Sequence, residues 1–178
     1  MLAGASTATT PYITSVTGGG TWVLPGTSGC QMQPSGGLGV SCAYALSSTS
    51  GATSLTIKAP AGTYGFSFWE VSRTGGSFVL DQLATQTNAA STWNAPGPAL
   101  SSATGTNDII FQLYAPAIAT TGAWENYYGI FPGKFINLST SLQAGNSLVI
   151  NTNNFAATTW NYSNGSNLIS STAALAFK

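Results

Sequence analysis

Histidine is absent from the 178 residues, and only four Lys and Arg and four Asp and Glu are present. Without imidazole there is no Ser-His-Asp triad, no Cys-His nucleophile pair and no His-based metal site. Charged residues make up 4% of the chain, against about 25% in an ordinary soluble protein. Such a surface has no field with which to steer a charged ligand. The formal net charge is zero, so neither nucleic acid nor an anionic membrane is an expected partner. Weak charge repulsion instead favours association with other copies. No apolar run approaches twenty residues, which excludes insertion in a membrane as a helix. MLAGASTATT lacks the basic start and long apolar stretch of an intact signal peptide, so the expectation is a mature or truncated form. Helix signals are missing too: no window holds an apolar stripe at i, i+3, i+4 and i+7.

What is present reads as strand and turn. The segment TSLTIKA (53–59) alternates, with Leu55, Ile57 and Ala59 on one face and Ser54, Thr56 and Lys58 on the other. Further strands are expected at 11–17, 20–24, 39–46, 63–71, 77–84, 108–114, 129–138, 146–151 and 169–177. Clusters such as TGGG, PGTSG, STSGA, APAG, RTGG and APGP separate them, with Gly and Pro supplying the backbone angles that turns require. About ten short strands in one domain over 1–178 predict an all-β antiparallel sandwich, jelly-roll or immunoglobulin-like. Two stretches, 85–107 and 115–128, read as long loops or edge excursions. Trp22, Phe66, Phe68, Ile109, Phe111, Leu148, Ile150 and Phe177 are the expected core.

The two cysteines, Cys30 and Cys42, flank a Gly- and Pro-containing segment. A disulfide is the first reading and implies an oxidising compartment. Buried free thiols are the alternative, and two thiolates alone do not complete a tetrahedral zinc site. Glu70, Asp81, Asp108 and Glu125 are the only carboxylate side chains. Glycoside hydrolysis needs two carboxyl groups about 5–10 Å apart, for which Glu70 with Asp81 or with Glu125 would have to serve. Strand-end solvation is the simpler role, and no catalytic residue is assigned. No cofactor is expected; calcium is the one ion that the abundant Asn and carbonyl oxygens would suit, but no DxDxDG-like cluster is present.

FSFWEVSRTGG (66–76) places Glu70 and Arg73 beside four large apolar side chains. Strand alternation puts Tyr64, Phe66, Phe68 and Glu70 on one face and Trp69 and Val71 on the other. Glu70 thus ends an aromatic row before the turn RTGG, and Arg73 is expected to fold back on it as a structural ion pair. Sugar or partner contacts are sought among loop aromatics, at Trp93 and in GAWENYYG through Trp124, Glu125, Asn126, Tyr127 and Tyr128. Exposed aromatic faces stack on sugar rings, although core packing is the commoner fate of a Trp. Asn137, Asn161 and Asn164 each begin an Asn-x-Ser triplet and are candidate N-glycosylation sites.

The order of TSVTGGGTW (14–22), AYALSSTSGATSLTI (43–57), FWEVS (68–72), FVLDQLATQTN (78–88), NDIIF (107–111) and AALAFK (173–178) resembles β-sandwich modules of uncharacterised role in secreted and cell-surface bacterial proteins. The likeness is weakest over 115–165. It implies an extracellular, non-enzymatic module and transfers no binding residue. Those modules open with a complete apolar strand. Here that strand is either built from residues 1–10 or missing, in which case an open sheet edge would invite a strand from another copy. The expected function is therefore a self-associating structural subunit of a surface filament, layer or matrix. A carbohydrate-binding or adhesion module with polysaccharide as partner is the alternative, and a glycoside hydrolase the minor one.

Overall fold

The computed structural model describes residues 1–6, 13–25, 30, 39–62, 64–91, 94–100, 108–116, 134–139, 142–152, 159–161 and 168–178. Among these the chain is strand and turn with no helix. The strands are β1 (Leu2–Ser6), β2 (Ser15–Thr17), β3 (Gly39–Ala43), β4 (Thr56–Lys58), β5 (Tyr64–Phe68), β6 (Leu80–Ser91), β7 (Asn94–Pro96), β8 (Asp108–Pro116), β9 (Lys134–Ser139), β10 (Leu142–Thr152), β11 (Thr159–Asn161) and β12 (Leu168–Phe177). All pairings between them are antiparallel.

A three-stranded sheet runs β3-β1-β5 and a five-stranded sheet runs β6-β12-β8-β10-β9, while β11-β7 and β2-β4 pair separately. The first strand is therefore built from the chain's own start: β1 lies between β3 and β5, with Ala3 opposite both Cys42 and Ser67. The segment 20–24 makes only isolated bridges, Gly20 to Ser48 and Val23 to Tyr44. The largest departure from expectation is β6, which continues through TQTNAAS into the stretch read as a loop. It pairs with β12 from Leu80↔Phe177 to Ser91↔Leu168.

Alternation on β8 and β12 sends two different side-chain sets to opposite faces. On one face Ile109, Phe111, Leu113, Ala173, Leu175 and Phe177 meet Cys30, Cys42 and Tyr44, so this core joins the five-stranded sheet to the three-stranded one. Phe177 packs edge-on against Tyr44 at 5.2 Å and Phe111 at 5.8 Å. Such T-shaped pairs add about 0.5–1.5 kcal/mol to the burial of each ring. The second face is covered as well, since Ile110, Ala174 and Ala176 pack with Leu100. Cys30 and Cys42 form a fully buried disulfide with Cα atoms 5.5 Å apart.

Ile109, Phe111 and Phe177 lie in the core as expected. Phe66 and Phe68 do not: they are 38% and 53% exposed. The reason is the facing of β5. Trp69 and Val71 pack against the inter-sheet core, so the opposite face, with Phe66 and Phe68, points outward. Trp22 is half-buried beside Ile13, Val16, Ala43 and Ile57 in a smaller cluster under β2 and β4. The side chains of Leu148 and Ile150 fall outside what the structure describes.

Candidate functional site

The run TGGGTW (17–22) builds one wall of a cleft. Gly18 has φ +88° and Gly20 φ +154°. A Cβ on Gly18 would fall 2.6 Å from the Ser54 carbonyl oxygen, and one on Gly20 would fall 2.5 Å from that of Ser47. Glycine is thus what lets this segment lie directly on the loop 45–55. The Thr49 N–H donates to the Gly19 carbonyl at 2.9 Å, and Ala52 N–H donates to the Thr49 carbonyl at 3.2 Å. The Trp22 Nε1–H donates to the Gly18 carbonyl at 2.7 Å. That bond uses the indole's single donor and leaves its ring as an apolar surface. Trp22 and Phe68 stand with centroids 6.4 Å apart and planes at 54°.

The end of the β1–β5 ladder forms the other wall. Trp69 N–H donates to the Met1 carbonyl and the Met1 amine donates to the Trp69 carbonyl, each at 2.7 Å. This rung holds Phe68, Trp69 and Glu70 in extended chain, so that consecutive side chains alternate between core and outside.

Between these walls lies a cleft of about 420 Å³, within the range of small-ligand sites. Its floor is the aromatic end of the core: Tyr44, Phe111 and Phe177. Trp22, Phe68 and Trp69 line its sides, and exposed Ser47, Ser48, Thr49, Thr53 and Ser54 give it a hydroxyl rim. Glu70, exposed, is the one carboxylate among the lining side chains. Burial lowers the Met1 amine from 8.0 to about 6, against the opposing pull of the Glu70 charge. Burial also raises the Tyr44 phenol above its ordinary value, so it lines the cleft as a neutral hydroxyl.

The expected Glu70–Arg73 ion pair is not formed. Arg73 donates instead to the Ser77 carbonyl at 3.4 Å, and its guanidinium carbon lies 5.5 Å from the centre of the Phe78 ring. The turn RTGG, with Gly75 and Gly76 at φ +77° and +72°, closes Arg73 onto its own far side rather than back toward Glu70. Among the described residues the ion pair is Lys178 with Asp81, which ties the chain's end to β6. Asp108 is fully buried at the start of β8. The described Cys, Asp and Glu nowhere gather in threes.

Of the other sequence-derived candidates, Trp93, Trp124, Glu125, Asn126, Tyr127, Tyr128 and Asn164 lie outside the described residues. Asn137 and Asn161 sit in strands, opposite Gln143 and Asn94. The aromatic site that the structure does describe uses Trp22, Phe68 and Trp69, two of which the sequence reading placed in the core. The available signal was the position of each pair beside a glycine turn: TGGGTW before one wall and FWEVSRTGG at the other. No protein-family model, curated protein or solved structure matches the chain.

Proposed function

We propose that the chain is a non-catalytic carbohydrate-binding module of an exported protein, folded as a jelly-roll or immunoglobulin-like β-sandwich. The observation that carries this reading is the cleft: aromatic walls from Trp22, Phe68 and Trp69 under a rim of five Ser and Thr residues. A pyranose offers the matching surfaces, with C–H faces for the rings and hydroxyls for the rim. The buried Cys30–Cys42 disulfide supports an oxidising, extracellular location. A non-catalytic role is supported by the separate employment of the carboxylates, since Asp81 is paired with Lys178 and Asp108 is buried. Phe68 is the residue to test, because half of it faces solvent and its loss spares the core. Phe68→Ala is expected to abolish retention on insoluble polysaccharide in pull-down assays while the melting temperature stays within about 2 °C of the parent. Equal retention by the variant would overturn the reading.

Self-association is a second reading, favoured by β6. This strand is twelve residues long, pairs on one side with β12, and lies at the edge of its sheet among the described residues. Its one charge, Asp81, is engaged by Lys178. Long edges without charge are templates for pairing. Sedimentation should then show mass rising with concentration, and Thr87→Lys, an exposed position on β6, should suppress it. A concentration-independent monomer would exclude this reading.

A further inference from the structure

Resting on the sugar reading of the cleft, we propose that its ligand is an amino-sugar polymer bearing free ammonium groups, and that Glu70 is the residue that selects it over neutral and acidic glycans. The chain has eight charged side chains, and one of them, Glu70, lines the aromatic cleft in an exposed position. Among the described residues it forms no ion pair, and the positive group its charge acts on is the Met1 amine. Arg73 is held by Ser77 and Phe78, Lys178 by Asp81, and Lys58 is exposed on β4 and does not line the cleft. Burial lowers the Met1 amine to about 6 and leaves it largely uncharged at neutral pH. Among the described residues that line the cleft, Glu70 is thus the one charged side chain, set among aromatic rings.

Both features favour a cation. An exposed carboxylate in the lining attracts an ammonium group and repels a uronate. The faces of Trp22 and Trp69 attract an ammonium group through the ring quadrupole, an interaction that Arg73 already makes on the cleft-lining Phe78 ring. A neutral sugar would use the rings and the hydroxyl rim but leave the carboxylate without a charged partner. Selection, not the bulk of the affinity, is thus the task of Glu70, since an exposed pair contributes modestly.

Calorimetric titration of short oligomers of glucosamine, N-acetylglucosamine, glucose and galacturonic acid tests this at pH ~7, above the lowered value of the Met1 amine. The glucosamine oligomer is expected to bind about fivefold tighter than the N-acetylated and glucose oligomers, with the acidic oligomer weakest. The advantage should shrink with added salt and vanish in Glu70→Gln, whose melting temperature confirms that it is folded. Equal or tighter binding of neutral oligomers, or a preference that survives Glu70→Gln, would overturn the role of Glu70 and leave the sugar site standing. Failure of every oligomer to bind would overturn the sugar site itself.

Discussion

At the residue scale, the chain's poverty in titratable groups makes one of them legible in solution. No histidine is present and both cysteines are in a disulfide. Of the groups with ordinary values between pH ~5.5 and ~8.5, the α-amine of Met1 is the one that remains. Burial beside Trp69 lowers it from 8.0 to about 6. The unfolded chain therefore binds the proton more readily than the folded one, and stability rises with pH across that interval. Above pH 8 the amine is neutral in both states and no penalty applies; below pH 6 it is charged in both and the penalty is complete. Two units correspond to at most about 2.7 kcal/mol, and incomplete burial lowers the expectation to about 1–2 kcal/mol. Urea unfolding of the 178-residue chain at pH ~5.5 and ~8.5 should show this rise, and acetylation of the amine should flatten it. A flat profile in the unmodified chain would mean that the Met1–Trp69 rung is open in solution.

At the element scale, what could be read ahead of the structure followed the apolar pattern. Thr56–Lys58 falls inside the expected strand 53–59, and Asp108–Pro116 and Leu168–Phe177 overlap the expected 108–114 and 169–177 and run past them by two residues and one. The second half of β6 was illegible for a physical reason. TQTNAAS has no apolar alternation because its partner face is itself polar: Asn88 donates to Ser170 Oγ at 3.1 Å, and Thr172 Oγ1 donates to the Gln86 carbonyl at 3.3 Å. Buried polar groups that satisfy one another mimic a loop in composition while forming a strand in space. The facing of β5 was illegible differently. Phe66 and Phe68 against Trp69 and Val71 gives two apolar faces, and period-2 alternation alone does not say which one the molecule covers. The answer came from the register with β1 and β3, where Cys42 turns toward the core. The same ambiguity accounts for Phe68 among the expected core residues: the outward face of β5 is where Phe68 meets Trp22.

At the scale of the whole molecule, the disulfide and the cleft are mechanically linked. Cys42 ends the core side of β3, and Tyr44, two residues on, is both part of that core and the floor of the cleft. The bridge to Cys30 closes a segment of twelve residues, worth about 3 kcal/mol in chain entropy. Against a typical stability of about 5–15 kcal/mol this is a large share, and for a domain of this length it corresponds to about 6–12 °C in melting temperature. The double variant Cys30→Ala, Cys42→Ala should lose at least that much, because each missing sulfur also leaves a gap in a fully buried site. Scanning calorimetry of the oxidised parent and the variant measures it directly. Tyr44 also bonds through its backbone to Val23 in both directions, at 2.7 and 3.0 Å, so loosening β3 should loosen the wall that carries Trp22. Below its lowered melting point the variant should consequently bind the ligand proposed for the cleft more weakly than the parent does, with the loss growing as temperature rises. A variant that melts with the parent would show that β3 is held by its ladder with β1 alone, and that the cleft floor stands without the crosslink.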